Sequence, residues 1–250
     1  MQLPVVTAAG VWPPVLVTTG PGARSEAHAH HAMHLVLARS GTLAVTTAAA
    51  LVRAAGIVTA PDVEHALDAR GVDIVLVFFD PESDAGERLR AGLTAPIRAI
   101  DPGEREALLA DLPLRATPEQ LHAWGQAAAD RLSRGTDAAR VIHPRVRRLL
   151  RALRSAPPEA DTSLPALAQI AGLSEGRLVH AFRDSVGIPL RPYLLWQKLQ
   201  RAVIAMAAGE PLARAAQSAG FADAAHMSRT FRRMFGMTAS ELQRSMPRAP

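Results

Sequence analysis

The stretch HAHHAMH, residues 28–34, carries four of the nine histidines in a chain of 250 residues. A neutral imidazole keeps one nitrogen lone pair, and several of them converging make a site for a borderline transition metal. Side chains alternate faces along a strand, so a strand here puts His28, His30 and His34 on one face and His31 on the other. Two other uses of the same residues stand beside the metal. The imidazoles can line a polar pocket for a small organic effector, bonding backbone carbonyls, or they can form a solvated surface strip. Cysteine is absent, which removes disulfides, thiolate catalysis and thiolate ligands.

The surrounding elements must position these histidines. Over the first 80 residues, β-branched and apolar runs such as VWPPVLVTTG, TLAVTTAAALVRAAG, GIVTAP and GVDIVLVFFDP are cut by Gly and Pro about every ten residues, which predicts a β-sandwich or small barrel. After FFDPESD the spacing turns helical. In TPEQLHAWGQAAADRLSRG, Thr117 is a candidate N-cap with Pro118 behind it, and Leu121, Trp124, Ala128 and Leu132 form one stripe. RGTDAARVIHP, residues 134–144, marks a boundary, beyond which helices are expected at 144–155, 164–171, 175–186, 189–208, 211–219, 223–235 and 239–245.

Charge divides the chain at the same place. Residues 1–135 hold 11 Arg against 15 Asp and Glu, a net of −4, whereas residues 136–250 hold 17 Lys and Arg against 8 acids, a net of +9. A basic half joined to an acidic one fits a polyanionic partner for the second half only. No run is long enough to cross a membrane, and the first residues lack a basic leader, so no membrane partner and a cytoplasmic location are the expectation.

The basic half contains a repeat. SLPALAQIAGLSEGRLVHAFRDSVG, residues 163–187, reads as a short helix, a turn at Gly172 and a second helix whose inner face is Leu178, Ala181 and Phe182. PLARAAQSAGFADAAHMSRTFRRMFG, residues 211–236, repeats the plan, with Gly220 matching Gly172 and Gly236 matching Gly187. The intervening stretch, residues 190–208, is about 28 Å long as a helix. That is close to the roughly 34 Å between successive major grooves on one face of DNA.

These two segments closely resemble the DNA-binding domain of the AraC-type transcriptional regulators, over about residues 143–245. The resemblance implies two helix-turn-helix units acting on double-stranded DNA, usually joined to a sensing or dimerising domain. On the second recognition helix, Ala224, Ala225, Ser228 and Arg229 lie on or near the outward face, and Arg232 and Arg233 can reach phosphates. Arg229 can pair bidentately with guanine. On the first, Gly176, Val179 and His180 stand where relatives often carry larger polar residues. Val179 can still meet a thymine methyl, and Arg177 and Arg183 can reach the backbone.

The histidine stretch has its own resemblance. Gly22, His28, His30, His34 and Gly41 follow G-x5-H-x-H-x3-H-x6-G, similar to the first motif of the cupin barrels, with His34 where glutamate is usual. GIVTAPDVEH supplies Pro61 and His65 for the second motif, one residue shorter than usual and with Val63 in place of a glycine. The resemblance implies His28, His30, His34 and His65 as metal ligands. Such a cysteine-free set suits Zn, Ni, Cu, Co or Fe.

The sequence thus predicts an α+β chain. A cupin-like β-barrel sensor occupies residues 1–82, a helical connection capable of homodimer contacts occupies 83–135, and a C-terminal all-α domain with two helix-turn-helix units occupies 136–250. The function expected is sequence-specific DNA binding governed by a metal ion or small effector, with RNA polymerase as a partner if the protein activates. The rivals are a metal-dependent cupin enzyme, and a regulator with an organic effector and no metal.

Overall fold

Met33–Ala38 are all buried, although a strand with one wet face would bury only every second residue. This strand must therefore be covered on both sides. The computed structural model describes residues 14–113, 116–133 and 142–245. In chain order they form β1 (Val15–Pro21), β2 (Met33–Ala38), β3 (Leu43–Thr46), β4 (Leu51–Ala54), β5 (Gly56–Thr59), β6 (Ala66–Asp68), β7 (Asp73–Phe79), α1 (Asp84–Ala91), β8 (Ile97–Ile100), α2 (Pro102–Leu109) and α3 (Pro118–Leu132). Then follow α4 (Pro144–Ser155), α5 (Leu164–Ala171), α6 (Glu175–Val186), α7 (Leu190–Ala207), α8 (Leu212–Ser218), α9 (Ala224–Phe235) and α10 (Ala239–Ser245). They divide into two units: 14–133 together with 228–245, and 142–227.

In the first unit, β2 lies at the centre of a five-stranded antiparallel sheet, β1-β7-β2-β5-β8. Met33, Leu35 and Leu37 pack with Leu89 of α1 and with Leu121, Trp124 and Ala128 of α3. Val36 and Ala38 face the other way, onto Leu43 and Val45 of the three-stranded sheet β4-β3-β6. His34 has the parity of Val36, which aims it inward between the sheets.

Three features differ from the sequence reading. The β2 strand begins at Met33, so residues 28–31 precede it and strand alternation does not apply to them. The expected barrel is two sheets with no strand pairing between them among the described residues. Residue 82 does not end the β-structure, because β8 pairs with β5 in register from Gly56↔Ile100 to Thr59↔Ile97. Residues 134–141 of the expected boundary segment lie outside the described residues.

The connection packs back on its own sheet. Thr117 caps α3 in a reciprocal capping box with Gln120, as its sequence predicts. The stripe Leu121, Trp124, Ala128 and Leu132 is buried there, so it is not a free apolar face for a second copy. Helix and sheet approach closely at Gly125, where a Cβ would stand 2.6 Å from a methyl of Val15.

The first motif lies within the second unit, and the second motif begins there with α8 and runs into the first unit along α9. The helices α5 and α6 turn at Gly172 (φ 67°), and the turn between α8 and α9 falls at Gly220 (φ 80°), both in the left-handed region. Each turn is tied to a cation from a helix outside its motif. The Arg145 guanidinium of α4 donates to the Gly172 carbonyl, and Lys198 Nζ of α7 donates to the Gly220 carbonyl at 2.7 Å. The single lysine of the chain is thus a brace. Lys198→Ala is expected to destabilise the second unit by about 1.5–3 kcal/mol, the range for hydrogen bonds to charged groups, measured by chemical denaturation. A loss within error would mean that the brace contributes nothing.

Candidate effector site and nucleic-acid interface

The histidines converge by a route other than strand alternation. His28 and His65 form an isolated antiparallel bridge, exchanging N–H···O bonds of 3.0 and 2.9 Å, which sets their rings 4.4 Å apart. The chain bends after His30 and enters β2, whose second residue is His34. The ring of His34 lies 4.6 Å from that of His65 and 5.2 Å from that of His30. The ligating atoms of His28, His30 and His65 lie within 4.8 Å of one another, a three-imidazole group with His34 beside it. Phe78, across the sheet from His34, walls the cluster with its ring 5.7 Å from His30.

Backbone carbonyls fix the tautomers. Nδ1 of His28 lies 2.8 Å from the Glu26 carbonyl, Nδ1 of His30 2.9 Å from that of Ala32, and Nδ1 of His65 2.8 Å from that of Val63. A carbonyl can only accept, so each Nδ1 carries the proton, and in the neutral ring the lone pair is at Nε2. Metal-ligating histidines are oriented in the same way. All four are held neutral. Burial lowers the pKa of His28 to about 4, against the opposing Glu26 hydrogen bond, and burial drives His30 and His34 well below the usual histidine range. His65 is lowered by the same cause. Nε2 of His34 and Nε2 of His65 are buried without a hydrogen-bond partner, as is Oγ1 of Thr59, which pairs with His34 in register. Buried polar atoms seldom go unsatisfied, and each costs about 1–3 kcal/mol. Neutral, converging imidazoles, with the Nε2 atoms of His34 and His65 buried and unsatisfied, fit a cation that accepts imidazole.

His31 has a different role. Burial would lower its pKa, but the charge of Glu82 and the hydrogen bonds to Asp62 and Glu82 outweigh burial and raise it to about 10. The imidazolium donates to Asp62 Oδ2 at 2.8 Å and to Glu82 Oε1 at 3.1 Å, leaving no lone pair for a metal. Asp62 adopts φ 63°, a left-handed conformation that Asp tolerates better than most residues. It takes the turn position that the sequence reading sought at Val63. Sequence reasoning missed Glu82 and Asp62; an acid beside Pro61 in the turn that leads to His65 was the available signal.

The predicted DNA-reading residues lie mainly on open helix faces. On α6, Gly176, Arg177, Val179, His180 and Arg183 are exposed while Leu178 and Phe182 are buried, and Val179 is 40% exposed despite being apolar. On α9, Ala225, Arg229, Arg232 and Arg233 are exposed, Ala224 and Ser228 are half-buried, and Met227, Thr230 and Phe231 face inward. Asp223 caps α9 by accepting from the His226 amide at 2.5 Å.

Residues 167–245 match the family model described as a helix-turn-helix domain. The C-terminal domain is an AraC-type helix-turn-helix domain. A helix-turn-helix domain of this kind is a DNA-binding module. No curated protein sequence matches the chain. Among solved structures, apo ToxT from Vibrio cholerae has a TM-score of 0.63 at 9% identity, covering 92% of this chain and 97% of that one. ToxT from Vibrio cholerae bound to an unsaturated fatty acid has a TM-score of 0.59 at 10% identity, covering 91% and 94%. At such identities the likeness to ToxT is one of fold. No helix among the described residues is long and apolar enough to cross a membrane.

Two outcomes test these assignments. Arg229→Ala should weaken binding to a selected DNA site by about 1–3 kcal/mol, the value of a bidentate base contact, with little effect on random-sequence DNA in a mobility-shift titration. Equal losses on both would make Arg229 a phosphate contact. His31→Leu should destabilise the first unit by about 3–5 kcal/mol, because Glu82 is left buried and unpaired. The double variant His31→Leu/Glu82→Leu should lose less in thermal denaturation, and a larger loss would contradict the ion-pair account.

Proposed function

We propose that this chain is a DNA-binding regulator whose first unit senses a divalent transition metal through His28, His30 and His65, with His34 as a fourth ligand. The observation that carries the reading is the convergence of three carbonyl-fixed imidazoles, whose ligating atoms lie within 4.8 Å of one another, with the Nε2 atoms of His34 and His65 buried without partners. A divalent metal bound there would supply a Lewis-acidic centre, held only while the imidazoles are neutral. The protein contributes the rest: carbonyls that hold the tautomers, burial that keeps the rings uncharged, and the His31–Glu82–Asp62 network that pins the two segments presenting them. Zn, Ni, Cu, Co and Fe all accept such a set, and affinity order alone does not choose among them. The cupin resemblance of the two motifs supports the same ligands.

A second reading has its own support. ToxT has been solved with an unsaturated fatty acid, and a related fold is compatible with an organic effector here. Metal content per chain separates the two. Protein purified without a histidine tag should carry stoichiometric metal by elemental analysis, and the His28→Ala/His30→Ala variant should carry almost none. Absence of metal from the wild type, even after reconstitution, would contradict the metal reading and leave the imidazoles as the lining of an organic pocket.

A further inference from the structure

The second recognition helix ends against the histidine cluster. Residues 228–245 belong to the same unit as the sheets, while α9 begins among the residues of the other unit. Gly236, just past the end of α9, adopts φ 65°, and its carbonyl accepts from the Glu26 amide at 3.2 Å. A Cβ at this position would stand 2.4 Å from the Glu26 carbonyl oxygen and 2.8 Å from His28 Nδ1. Those two atoms form the hydrogen bond that fixes the His28 tautomer. Phe235 stacks on Phe231 at 5.4 Å, and its ring lies 5.9 Å from His30. One turn earlier, Arg232 Nε approaches Glu26 Oε2 at 3.8 Å.

We propose that the end of α9 is part of the effector site: Phe235 and Gly236 close the histidine cluster, so that filling the cluster holds the second recognition helix in place. The inference rests on the metal reading of that cluster. A glycine with no room for a side chain, set against the hydrogen bond of a candidate ligand, ties the two features in one contact. The α9 helix is continuous over about 18 Å. A constraint at Phe235 is therefore felt at Arg229, fewer than two turns away on the same rigid element. The occupied cluster favours docked α9, and docked α9 preorganises His28 and His30.

The test uses the full chain and Zn(II) in competition with a chromophoric chelator. Phe235→Ala should weaken zinc binding by about 10- to 100-fold, the usual effect of removing support behind a metal ligand, with stoichiometry unchanged. Gly236→Ala should weaken it comparably, and Phe235→Leu, which keeps an apolar cover, should recover most of the affinity. Independently, zinc should slow backbone amide exchange over residues 228–237 in the wild type. That second readout decides if a variant fails to fold. Unchanged zinc affinity in all three variants, with unchanged exchange over 228–237, would overturn the coupling while leaving the metal reading intact. A wild type that binds neither zinc nor Ni, Cu, Co or Fe would overturn both, and would do so before any variant is compared.

Discussion

The first unit depends on burying four imidazoles in one place without charging them. Histidine is rarely packed in such numbers, because an imidazolium is costly in a low-dielectric interior and a neutral ring still needs its N–H bonded. Three rings meet both demands with backbone carbonyls two residues away, at Glu26, Ala32 and Val63. The local chain path thereby dictates where each lone pair points. The His28–His65 bridge, the bend before β2 and the left-handed turn at Asp62 serve that arrangement, and the buried His31 ion pair clamps the bend to the turn.

The basic half of the chain solves a different problem, that of presenting two helices with one face open. Short helices of eight and seven residues, such as LPALAQIA and LARAAQS, bury too little surface to fix a turn angle alone. The cations at Arg145 and Lys198 supply the missing restraint by binding the carbonyls of the turn glycines. The two sites are the same device built twice, on different helices. Along α9 the two functions meet, since its exposed face carries Arg229 while its end packs beside His28 and His30.

The helices of the basic half were legible to within a residue or two, because Gly, Pro and Ser punctuate an amphipathic pattern whose packing is local. The histidine site was legible in its membership but not in its cause. Alternation along a strand named His28, His30 and His34, yet only His34 lies on one, and the convergence comes from a long-range bridge between residues 28 and 65. β8 went unseen because IRAI is four residues with one buried side chain, too short for periodicity to register. Nothing local in MFG indicates that the end of α9 lies against an element two hundred residues earlier.

The central claim is that the histidine cluster and the second recognition helix share one equilibrium. The most direct measurement is a linkage cycle: DNA affinity with and without saturating Zn(II), and zinc affinity with and without the same DNA, for wild type and for His28→Ala/His30→Ala. Coupling between sites is reciprocal and typically amounts to about 5- to 150-fold. The account predicts equal factors in the two directions for the wild type and none for the variant. Zinc that binds stoichiometrically and leaves DNA affinity unchanged would contradict it.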